Sequence, residues 1–540
     1  MEPFIQLCPG IGSAFEAFWK LRGERHVAFL DSALPDAQLG RLSVVASDPV
    51  LVFAARGDQI EVTGKTTRVR RSENPFSTLR ALERRFCPGE DGGEWPHGAL
   101  IGSLGYGLRR FVERVPARVA DDVGIPDAWF GVYDRLLVFD HDSGRATIIS
   151  TGVDESGQAD LDRARRRAEE WQEKLAVKIA LPQLPLLASE GAIGEVGQDG
   201  IHQECRRGLG APTVGERTIG FSDAVGALRP LPHSERGWLG QHFQSHLEPA
   251  LESNLTREDY ERAVRRILDY IAAGDVYQVN LSQRFRTQTP VEPELLYHAL
   301  RTTNPAPFAA YLDCGVGQIL SSSPERFLQL RGRYIQTRPI KGTRPRTGNE
   351  QADQKAAREL MMSAKDQAEL LMITDLERND LGRVCEFGSV HVPELVTLES
   401  YATVLHLVST VEGRLADGVM AMDAIRACFP GGSITGAPKI RAMEIIDELE
   451  PVARGVYTGA IGYLGFNGVA DFNIAIRTMV HENGVVHFHA GGGIVADSEP
   501  ALEYEETLHK ARGMVQALAQ AEVMRAVCGD RGVVSGRQQG

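Results

Sequence analysis

Lys341 is the only charged residue in the stretch 339–343, which reads PIKGT. The β-prone run 334–340 predicts a strand that ends near Lys341, and Gly342 would let another group approach the backbone closely. Because burial disfavours an ammonium ion, a desolvated lysine has a lowered pKa and can act as a nucleophile near neutral pH. The alternative is a solvated or anion-binding lysine within a basic cluster that also contains Arg338, Arg344 and Arg346.

Two pairs of acidic residues have the spacing of one helical face: Asp366 with Glu369, and Glu503 with Glu506. If the two helices face each other, several carboxylate oxygens converge, which suits a hard cation such as Mg²⁺. The alternative is structural, because Glu506 and Lys510 also have the i, i+4 spacing of an ordinary surface ion pair.

Two glycine-rich segments predict turns. The first, 431–436, reads GGSITG and precedes a helix, and the second, Gly491–Gly493, follows an apolar strand. Glycines permit positive φ angles and let backbone N–H groups surround a carboxylate or phosphate. Neither segment has the spacing of a P-loop or a dinucleotide fingerprint, so nucleotide binding is not predicted. A tight structural turn is the alternative in both places.

Single residues add to these groups. His406 lies in an apolar run, where a histidine is either a hydrogen-bonded core residue or a catalyst. Arg477 ends an apolar strand, where it could bind a carboxylate in a bidentate manner or pair with a core acid. His487 and His489 share a strand face without a third ligand nearby, so they are interpreted as structural.

The composition sets limits on the function. The chain has 540 residues, 43% hydrophobic and 24% charged, which is typical of a large globular protein with two to four domains. Its net charge of -13 argues against a general nucleic-acid or membrane-surface binder. The seven cysteines show no CxxC spacing, so neither zinc nor a disulfide framework is indicated. Without a signal peptide or a membrane span in the sequence, the expected compartment is the cytoplasm.

Four regions are predicted along the chain. Short β-prone runs and two amphipathic segments predict an α+β domain over residues 1–178. Residues 179–254, rich in Gly, Pro and Ser, predict a linker or a partly ordered insert. Thr256 is the expected N-cap of the first helix of a second α+β domain over 255–526. Residues 527–540 are expected to be a flexible tail.

Residues 255–520 closely resemble the chorismate-utilising enzymes, the family of anthranilate synthase component I, aminodeoxychorismate synthase component I, isochorismate synthase and salicylate synthase. The segments that carry the resemblance are GDVYQVNLSQRF, SSSPERF, RPIKGTRPR, DLERNDLGRV, FPGGSITGAPKIRAMEIIDELEP, YTGAIGY, AIRT and AGGGIVADSEPALEYEET. The N-terminal segments FLDSA, ASDP and IGSLGYG resemble the family's companion domain more loosely. The resemblance implies the α+β fold of anthranilate synthase component I, with two large β-sheets flanked by helices.

Two positions are informative within this family. The enzymes that use water carry a lysine at the position of Gln278, so Gln278 implies that ammonia is used. The segment PIKGT with Lys341 resembles the aminodeoxychorismate synthases, whereas anthranilate synthases usually carry an alanine in place of this lysine. The resemblance therefore implies aminodeoxychorismate synthase component I, in the pathway to para-aminobenzoate and folate. Anthranilate synthase component I and a catalytically inactive chorismate-binding scaffold are the alternatives.

The resemblance also implies roles for individual residues. Lys341 would add to C2 of chorismate and expel the C4 hydroxyl, with Glu325 as the general acid and base, and ammonia would then attack C4. The implied Mg²⁺ ligands are Glu369 and Glu506, supported by Asp366 and Glu503. The residues implied to contact the substrate are Gln278, Thr343, His406, Thr435, Gly436, Tyr457, Arg477, Gly491, Gly492, Gly493 and Lys510.

Partners are implied as well. The sequence has no cysteine nucleophile elbow with a distant His and Glu, so the ammonia is expected from a separate glutamine amidotransferase subunit, in a heterodimer. The resemblance further implies a tryptophan site in the N-terminal domain, formed by Ser32, Asn304, Pro305 and Phe308.

Overall fold

The structure, a computed structural model, describes residues 2–34, 39–88, 93–119, 121–179, 181–182, 251–401 and 404–529. Most of the predicted insert at 179–254 and of the predicted tail at 527–540 lies outside the described residues. The parts of the chain before and after the segment 183–252 form one compact unit.

Strands form the frame of this unit. The N-terminal part contributes β1 (Phe4–Leu7), β2 (Ala28–Asp31), β3 (Leu42–Ala46), β4 (Leu51–Arg56), β5 (Gln59–Gly64), β6 (Arg68–Ser72), β7 (Ala99–Leu104), β8 (Ala128–Tyr133), β9 (Arg135–Asp140) and β10 (Arg145–Ser150). The C-terminal part contributes β11 (Glu252–Ser253), β12 (Gln278–Gln288), β13 (Phe308–Asp313), β14 (Gln318–Ser323), β15 (Arg326–Arg331), β16 (Tyr334–Arg338), β17 (Ile340–Pro345), β18 (His391–Ser400), β19 (Val404–Arg414), β20 (Gly436–Ala437), β21 (Ala460–Gly465), β22 (Val469–Ile474), β23 (Thr478–Glu482) and β24 (Val485–Ile494).

The strands form two large sheets, and each takes strands from both parts of the chain. The first sheet has the order β1-β10-β9-β3-β2-β13-β14-β23-β24-β12-β11, with β20 paired to β12. The second has the order β17-β19-β16-β15-β22-β21-β7-β8-β4-β5-β6, with β18 paired to β19. Antiparallel pairing of β13 with β2 and of β21 with β7 joins the two parts. The domain boundaries at 178 and 255 stay a prediction. In both sheets, strands from the N-terminal part form backbone hydrogen bonds with strands from the C-terminal part.

The helices are α1 (Ala14–Leu21), α2 (Pro75–Phe86), α3 (Leu161–Ala176), α4 (Arg257–Ala272), α5 (Pro293–Thr303), α6 (Glu350–Met361), α7 (Ala364–Gly382), α8 (Ala421–Cys428), α9 (Lys439–Leu449) and α10 (Pro500–Gly529). Short 3-10 helices span Tyr106–Phe111 and Gly432–Ile434. As predicted, α4 begins after Thr256, whose side-chain oxygen accepts a hydrogen bond from the Asp259 amide at 3.1 Å. None of the helices in the described part of the chain is both long and apolar enough to cross a membrane.

Apolar side chains pack on both faces of the second sheet. One core lies between the two sheets, and it includes Val44 and Leu136 from the first and Ile101 and Trp129 from the second. The other core lies between the second sheet and helices such as α2, α7 and α8. The sequence-based expectation of an α+β fold with two large sheets flanked by helices is confirmed. Strands β12, β17, β19 and β24 and helices α7 and α10 carry most of the predicted site.

Candidate active site

The sequence predicted that Lys341 lies at the end of the strand 334–340. In the structure it lies inside the next strand, β17. Pro339 has no N–H and separates β16 from β17. Strand β17 pairs with β19, and the pairing register shifts at Gly342, which has a φ of +66°. A Cβ atom at Gly342 would approach Leu360 to 2.8 Å and Asp366 to 3.1 Å. The expectation that Gly342 allows a close approach to the backbone therefore agrees with the structure.

The amino group of Lys341 is partly buried and donates to the carbonyl oxygen of Ser433 over 3.4 Å. Burial lowers its pKa, while the carboxylates of Glu369 and Glu325 oppose the shift. Lysines become nucleophiles near neutral pH in such desolvated positions. The surroundings therefore make the neutral amine easier to reach than it is for a solvated lysine.

Glu325 lies between β14 and β15 with a relative exposure of 6%. Burial raises the pKa of its carboxyl group, and a hydrogen bond with the Ser433 side chain and the charge of Lys341 oppose that shift. Both predicted catalytic residues thus contact Ser433, one at its carbonyl oxygen and the other at its side chain. A desolvated amine and a buried acid lie around one residue, a combination suited to nucleophilic attack with protonation of a leaving group.

Two of the predicted metal ligands lie on α10 above β24. Glu503 accepts a hydrogen bond from Ser498 at 2.6 Å through Oε1, while its buried Oε2 has no hydrogen-bond partner among the described residues. A Cβ atom at Gly492 would lie 3.2 Å from Glu503 Oε2 and 3.3 Å from Glu506 Oε1, so both oxygens converge on this glycine. Glu506 also forms an ion pair with Lys510 at 2.7 Å.

The other two acids lie on α7. Burial raises the pKa of Glu369, and the charges of Asp366 and Glu506 raise it further against Lys341 and Lys365. The two helices therefore do place acidic charge near each other, which was the condition that the magnesium hypothesis required. Asp366, however, forms an ion pair with Arg344 at 3.1 Å. In the described ranges, no three His, Cys, Asp or Glu side chains are arranged to hold a metal ion as they stand.

The predicted turn at Gly491–Gly493 is wrong, because these residues lie inside β24 and pair with β12. Their backbones are close to other groups. A Cβ atom at Gly493 would approach the Gln278 side-chain nitrogen to 2.5 Å. Gln278 is fully buried, and its Oε1 has no hydrogen-bond partner among the described residues. The glycines therefore admit the Gln278 amide on one side of the strand and the α10 carboxylates on the other.

The segment 431–436, where a turn was predicted, contains the 3-10 helix Gly432–Ile434 and the start of β20, and it leads into α9. Thr435 is fully buried and donates to the Gly431 carbonyl oxygen at 3.0 Å. Gly436 has a φ of +140° and lies against the Gln278 carbonyl oxygen, so a side chain at this position would clash. Thr435 thus stabilises the segment from inside, and its predicted contact with the substrate stays a prediction.

His406, in β19, forms a hydrogen bond through Nδ1 with the Thr343 hydroxyl at 2.9 Å. Burial lowers its pKa to about 4, and the nearby Arg477 contributes to the shift. Arg477 has a φ of +50° and donates to Asn304 at 3.4 Å. Among the described residues no carboxylate lies within 4 Å of its guanidinium group, so the alternative of a core ion pair does not apply. A desolvated guanidinium without a protein counter-ion fits an anionic ligand.

Tyr457 stacks on His489 with a ring separation of 5.0 Å, and burial raises its pKa to about 12. This contact agrees with the interpretation of His489 as structural. Beside it, Arg454 pairs with Glu450 at 2.7 Å and donates to the Asn280 and Ile434 carbonyl oxygens at 2.9 and 3.2 Å. The buried ion pair thereby ties β12 to the segment before α9.

The four residues implied for a tryptophan site do not all lie together. Ser32 and Phe308 line a cavity of about 320 Å³ between strands of both sheets. The Ser32 hydroxyl donates to the Leu42 carbonyl oxygen at 2.8 Å. Asn304 contacts Arg477 instead, and neither it nor Pro305 lines that cavity. Tryptophan binding stays a prediction.

The comparisons with known proteins agree with this geometry. Residues 240–516 match the family model described as chorismate binding enzyme. The chain is 38% identical to anthranilate synthase component 1 of Thermus thermophilus over 510 residues, which cover 94% of this chain and 95% of the relative. It is also 38% identical to aminodeoxychorismate synthase component 1 of Salmonella typhimurium over 481 residues, covering 88% and 90%.

This protein belongs to the chorismate-binding enzyme family. A solved structure, that of anthranilate synthase component I from Streptococcus pneumoniae, matches with a TM-score of 0.69 at 29% identity and covers 94% of this chain and 98% of that one. Relatives named for two different activities match at the same identity, so membership of the family does not decide between them.

Some residues of this chorismate-binding enzyme were missed by the sequence analysis. Ser433 joins Lys341 to Glu325, and its only signal was a hydroxyl residue within the glycine-rich segment. The pair Glu450 and Arg454 has i, i+4 spacing, but no local pattern shows that it is buried. Lys365 adds positive charge beside the acids of α7 and α10. It lies on the helix that carries Asp366 and Glu369, where an exposed lysine gives no distinct signal.

His406 should not shape the pH dependence of this enzyme. With a pKa of about 4, its ring is neutral at all pH values above about 5. We expect His406→Asn, whose side-chain amide can still form a hydrogen bond with the Thr343 hydroxyl, to change kcat/KM by no more than about fivefold, the value of one hydrogen bond. The pH profile should keep its shape above pH 5.5. A limb near pH 6 in wild type that disappears in the variant would contradict this assignment.

Proposed function

We propose that this protein is the chorismate-binding subunit of an aminodeoxychorismate synthase, which converts chorismate and ammonia to 4-amino-4-deoxychorismate. The observation that carries the proposal is the position of Lys341, a desolvated amine that contacts Ser433 beside the buried acid Glu325. A nucleophilic lysine in this site distinguishes the proposal from anthranilate synthesis, for which no such lysine is needed.

The reaction proceeds in two substitutions. The neutral Lys341 amine adds to C2 of the ring, the double bonds shift, and the C4–O bond breaks. Glu325 gives its proton to the departing hydroxyl, which leaves as water, and the proton lost by the lysine nitrogen restores Glu325. Ammonia then attacks C4, the double bonds shift back, and the C2–N bond to Lys341 breaks as Glu325 gives a proton to the departing lysine nitrogen. The proton lost by the new ammonium group at C4 restores Glu325. The product keeps the enolpyruvyl group, and the amine is regenerated.

Several groups position the substrate. The Arg477 guanidinium, which has no carboxylate partner among the described residues, binds one substrate carboxylate in this proposal, and Tyr457 is a further contact that we propose. The unpartnered Gln278 Oε1 accepts an N–H from ammonia and so orients the second nucleophile. A glutamine cannot deprotonate water, which favours ammonia over water as the attacking group.

Mg²⁺ fits the α10 carboxylates. The unpartnered, buried Oε2 of Glu503 and the neighbouring Oε1 of Glu506 are hard oxygen donors, and Mg²⁺ commonly binds one or two carboxylates together with water and substrate oxygens. Glu369 is the third ligand that we propose, with Asp366 in support. When bound, the ion neutralises the ring carboxylate of the substrate. Lys510, which donates to the Gly491 carbonyl oxygen at 3.0 Å, adds positive charge on the same side.

The ammonia comes from a separate glutamine amidotransferase subunit in this proposal. The support is that the relatives are named component 1, a name that implies a second component. Free ammonium at mildly alkaline pH should replace the partner in the assay.

The test is the identity of the product. Purified protein is incubated with chorismate, Mg²⁺ and ammonium, and the products are separated by chromatography and identified by mass. The proposal predicts 4-amino-4-deoxychorismate. Anthranilate with pyruvate would instead support the second candidate, anthranilate synthase component I, which relatives at 38% identity favour. Unchanged chorismate would support an inactive scaffold.

Loss of one α10 carboxylate should weaken Mg²⁺ binding. We expect Glu503→Gln to raise the Mg²⁺ concentration for half-maximal activity by about 10–100-fold, the usual scale for a residue that supports a metal site. Glu359→Gln, at an exposed position on α6, is the matched control. The rise in Tm caused by Mg²⁺ should shrink in Glu503→Gln only. An equal Mg²⁺ response in both variants would remove Glu503 from the site.

A further inference from the structure

Glu377 is a buried acid of α7 that the proposed chemistry does not use. Its relative exposure is 3%. Its Oε1 accepts a hydrogen bond from the Gly432 amide at 3.1 Å, and its buried Oε2 has no hydrogen-bond partner among the described residues. Burial of a carboxyl group costs folding free energy unless its oxygens form hydrogen bonds. A buried carboxyl group with only one hydrogen-bonded oxygen therefore calls for an explanation.

The Gly432 contact connects Glu377 to the active site through one peptide unit. A Cβ atom at Gly432 would lie 3.1 Å from Glu377 Oε1 and 2.7 Å from Leu376, so α7 packs directly on this backbone. The carbonyl oxygen of the next residue, Ser433, accepts the hydrogen bond from Lys341, and the Ser433 side chain forms a hydrogen bond with Glu325. The position of Ser433 therefore depends on where α7 holds Gly432.

The groups around Glu377 come from three other parts of the chain as well as its own helix. Asp380 follows one turn later on α7, Lys439 approaches from α9, Glu325 from the active site, and the Cys428 thiol from the end of α8. Lys439 pairs with Asp380 and donates to the Cys428 and Pro430 carbonyl oxygens at 3.2 and 3.0 Å. Among the described residues Glu377 forms no ion pair of its own, so an ionised carboxylate there would be stabilised only from a distance, by the charge of Lys439.

We propose that Glu377 is a positioning residue for the chorismate reaction, whose buried carboxyl group fixes Gly432 so that Ser433 contacts Lys341 and Glu325 at once. The proposal rests on the proposed function of that site. Burial first, and then the charge of Asp380, raise the pKa of Glu377 to about 8, against Lys439 and the Gly432 hydrogen bond. At pH 7 the carboxyl group is mostly neutral. Ionisation above pH 8 places an unpaired negative charge behind Glu325.

This arrangement has a cost in stability with a definite sign. In the unfolded chain the carboxyl group ionises near its ordinary value of 4.5, whereas in the folded protein it keeps its proton until about pH 8. Between these values the unfolded state holds fewer protons, so stability falls as the pH rises. A neutral isostere should remove this loss while keeping the bond to Gly432.

The test compares Glu377→Gln and Glu377→Leu with wild type, with Asp375→Asn as a control at an exposed position of the same helix. The rate of chorismate consumption with saturating ammonium is measured from pH 6.5 to 9.5 and expressed as the ratio of variant to wild type. The ratio cancels the titration of ammonium and of Lys341. Glu377→Gln should give a ratio near one at pH 7 that rises severalfold by pH 9. Its Tm should exceed that of wild type by a margin that grows as the pH rises towards about 8 and then levels off.

Glu377→Leu cannot bind Gly432, so its kcat should fall about tenfold at every pH, with little change in KM for chorismate. Asp375→Asn should match wild type. A leucine variant with wild-type kcat, or a glutamine ratio that does not change with pH, would overturn the proposal. Because the assay follows chorismate, these ratios still decide the role of Glu377 if the product is anthranilate and the proposed function fails. A wild type that consumes no chorismate would overturn both.

Discussion

Lys341→Ala should form 4-amino-4-deoxychorismate at least about a hundredfold more slowly than wild type, because the covalent route is lost as a whole when its nucleophile is removed. The fold should tolerate the change. Burial already penalises the Lys341 ammonium, and its hydrogen bond to Ser433 is long at 3.4 Å. Initial rates with saturating chorismate and ammonium, together with Tm, check the expectation. Lys355→Ala, at an exposed position on α6, should behave as wild type.

Lys341→Arg separates nucleophilicity from charge. Arginine keeps the positive charge and can still donate to Ser433, but its pKa lies too high for a neutral form to be populated. The account predicts that this variant is as slow as the alanine variant. Substantial activity in Lys341→Arg would mean that the residue acts only as a cation, and the covalent mechanism would be wrong.

Glu325→Gln should lower kcat by about 10²–10⁴-fold, the usual contribution of a general acid or base. The amide preserves the shape of the side chain, but its N–H protons are not acidic enough to be transferred to the C4 hydroxyl. Glu359→Gln is the matched control, and the rate of chorismate consumption under saturating conditions is the measurement. A variant that keeps more than a tenth of the wild-type kcat would exclude Glu325 as the acid.

The same substitution should stabilise the protein. Because burial raises the pKa of Glu325, the folded state retains a proton that the unfolded state releases above its ordinary pKa of 4.5. Stability therefore falls as the pH rises from that value towards the raised one, and Glu325→Gln avoids this loss. We expect a Tm at neutral pH that is higher than that of wild type. A higher Tm together with a lower kcat is the trade-off expected at a catalytic group that destabilises the folded protein. A variant that lost activity because it failed to fold would not have a higher Tm.

Local patterns predicted the parts of the site that depend on neighbours in sequence. Thr256 predicted the start of α4, and the acids three residues apart on α7 and on α10 do lie near each other. Glu503 and Glu506 meet above Gly492 because α10 packs on β24. The spacing alone gave the common face of each helix, while tertiary packing decided how closely the two faces approach. That packing left Asp366 with Arg344 instead of with the other acids.

Other features depend on distant pairing and could not be predicted locally. Glycines usually weaken a strand, so Gly491–Gly493 indicated a turn, yet here they leave room for Gln278 and for the α10 carboxylates against β24. Pro339 divides one expected strand in two because it has no N–H to donate. The contact of Ser433 with Lys341 joins residues 92 positions apart. Sharing of both sheets by the two parts of the chain is likewise a long-range property.

The central claim is that Lys341 bonds covalently to the substrate ring. The most direct measurement mixes wild type with chorismate and Mg²⁺ in the absence of any ammonia source, quenches the mixture within the first turnover, and determines the mass of the peptide that contains Lys341. The account predicts that this peptide gains the mass of chorismate less one water, and that the adduct disappears when ammonium is added before the quench. An unmodified Lys341 peptide, from enzyme that forms 4-amino-4-deoxychorismate once ammonium is supplied, would contradict it.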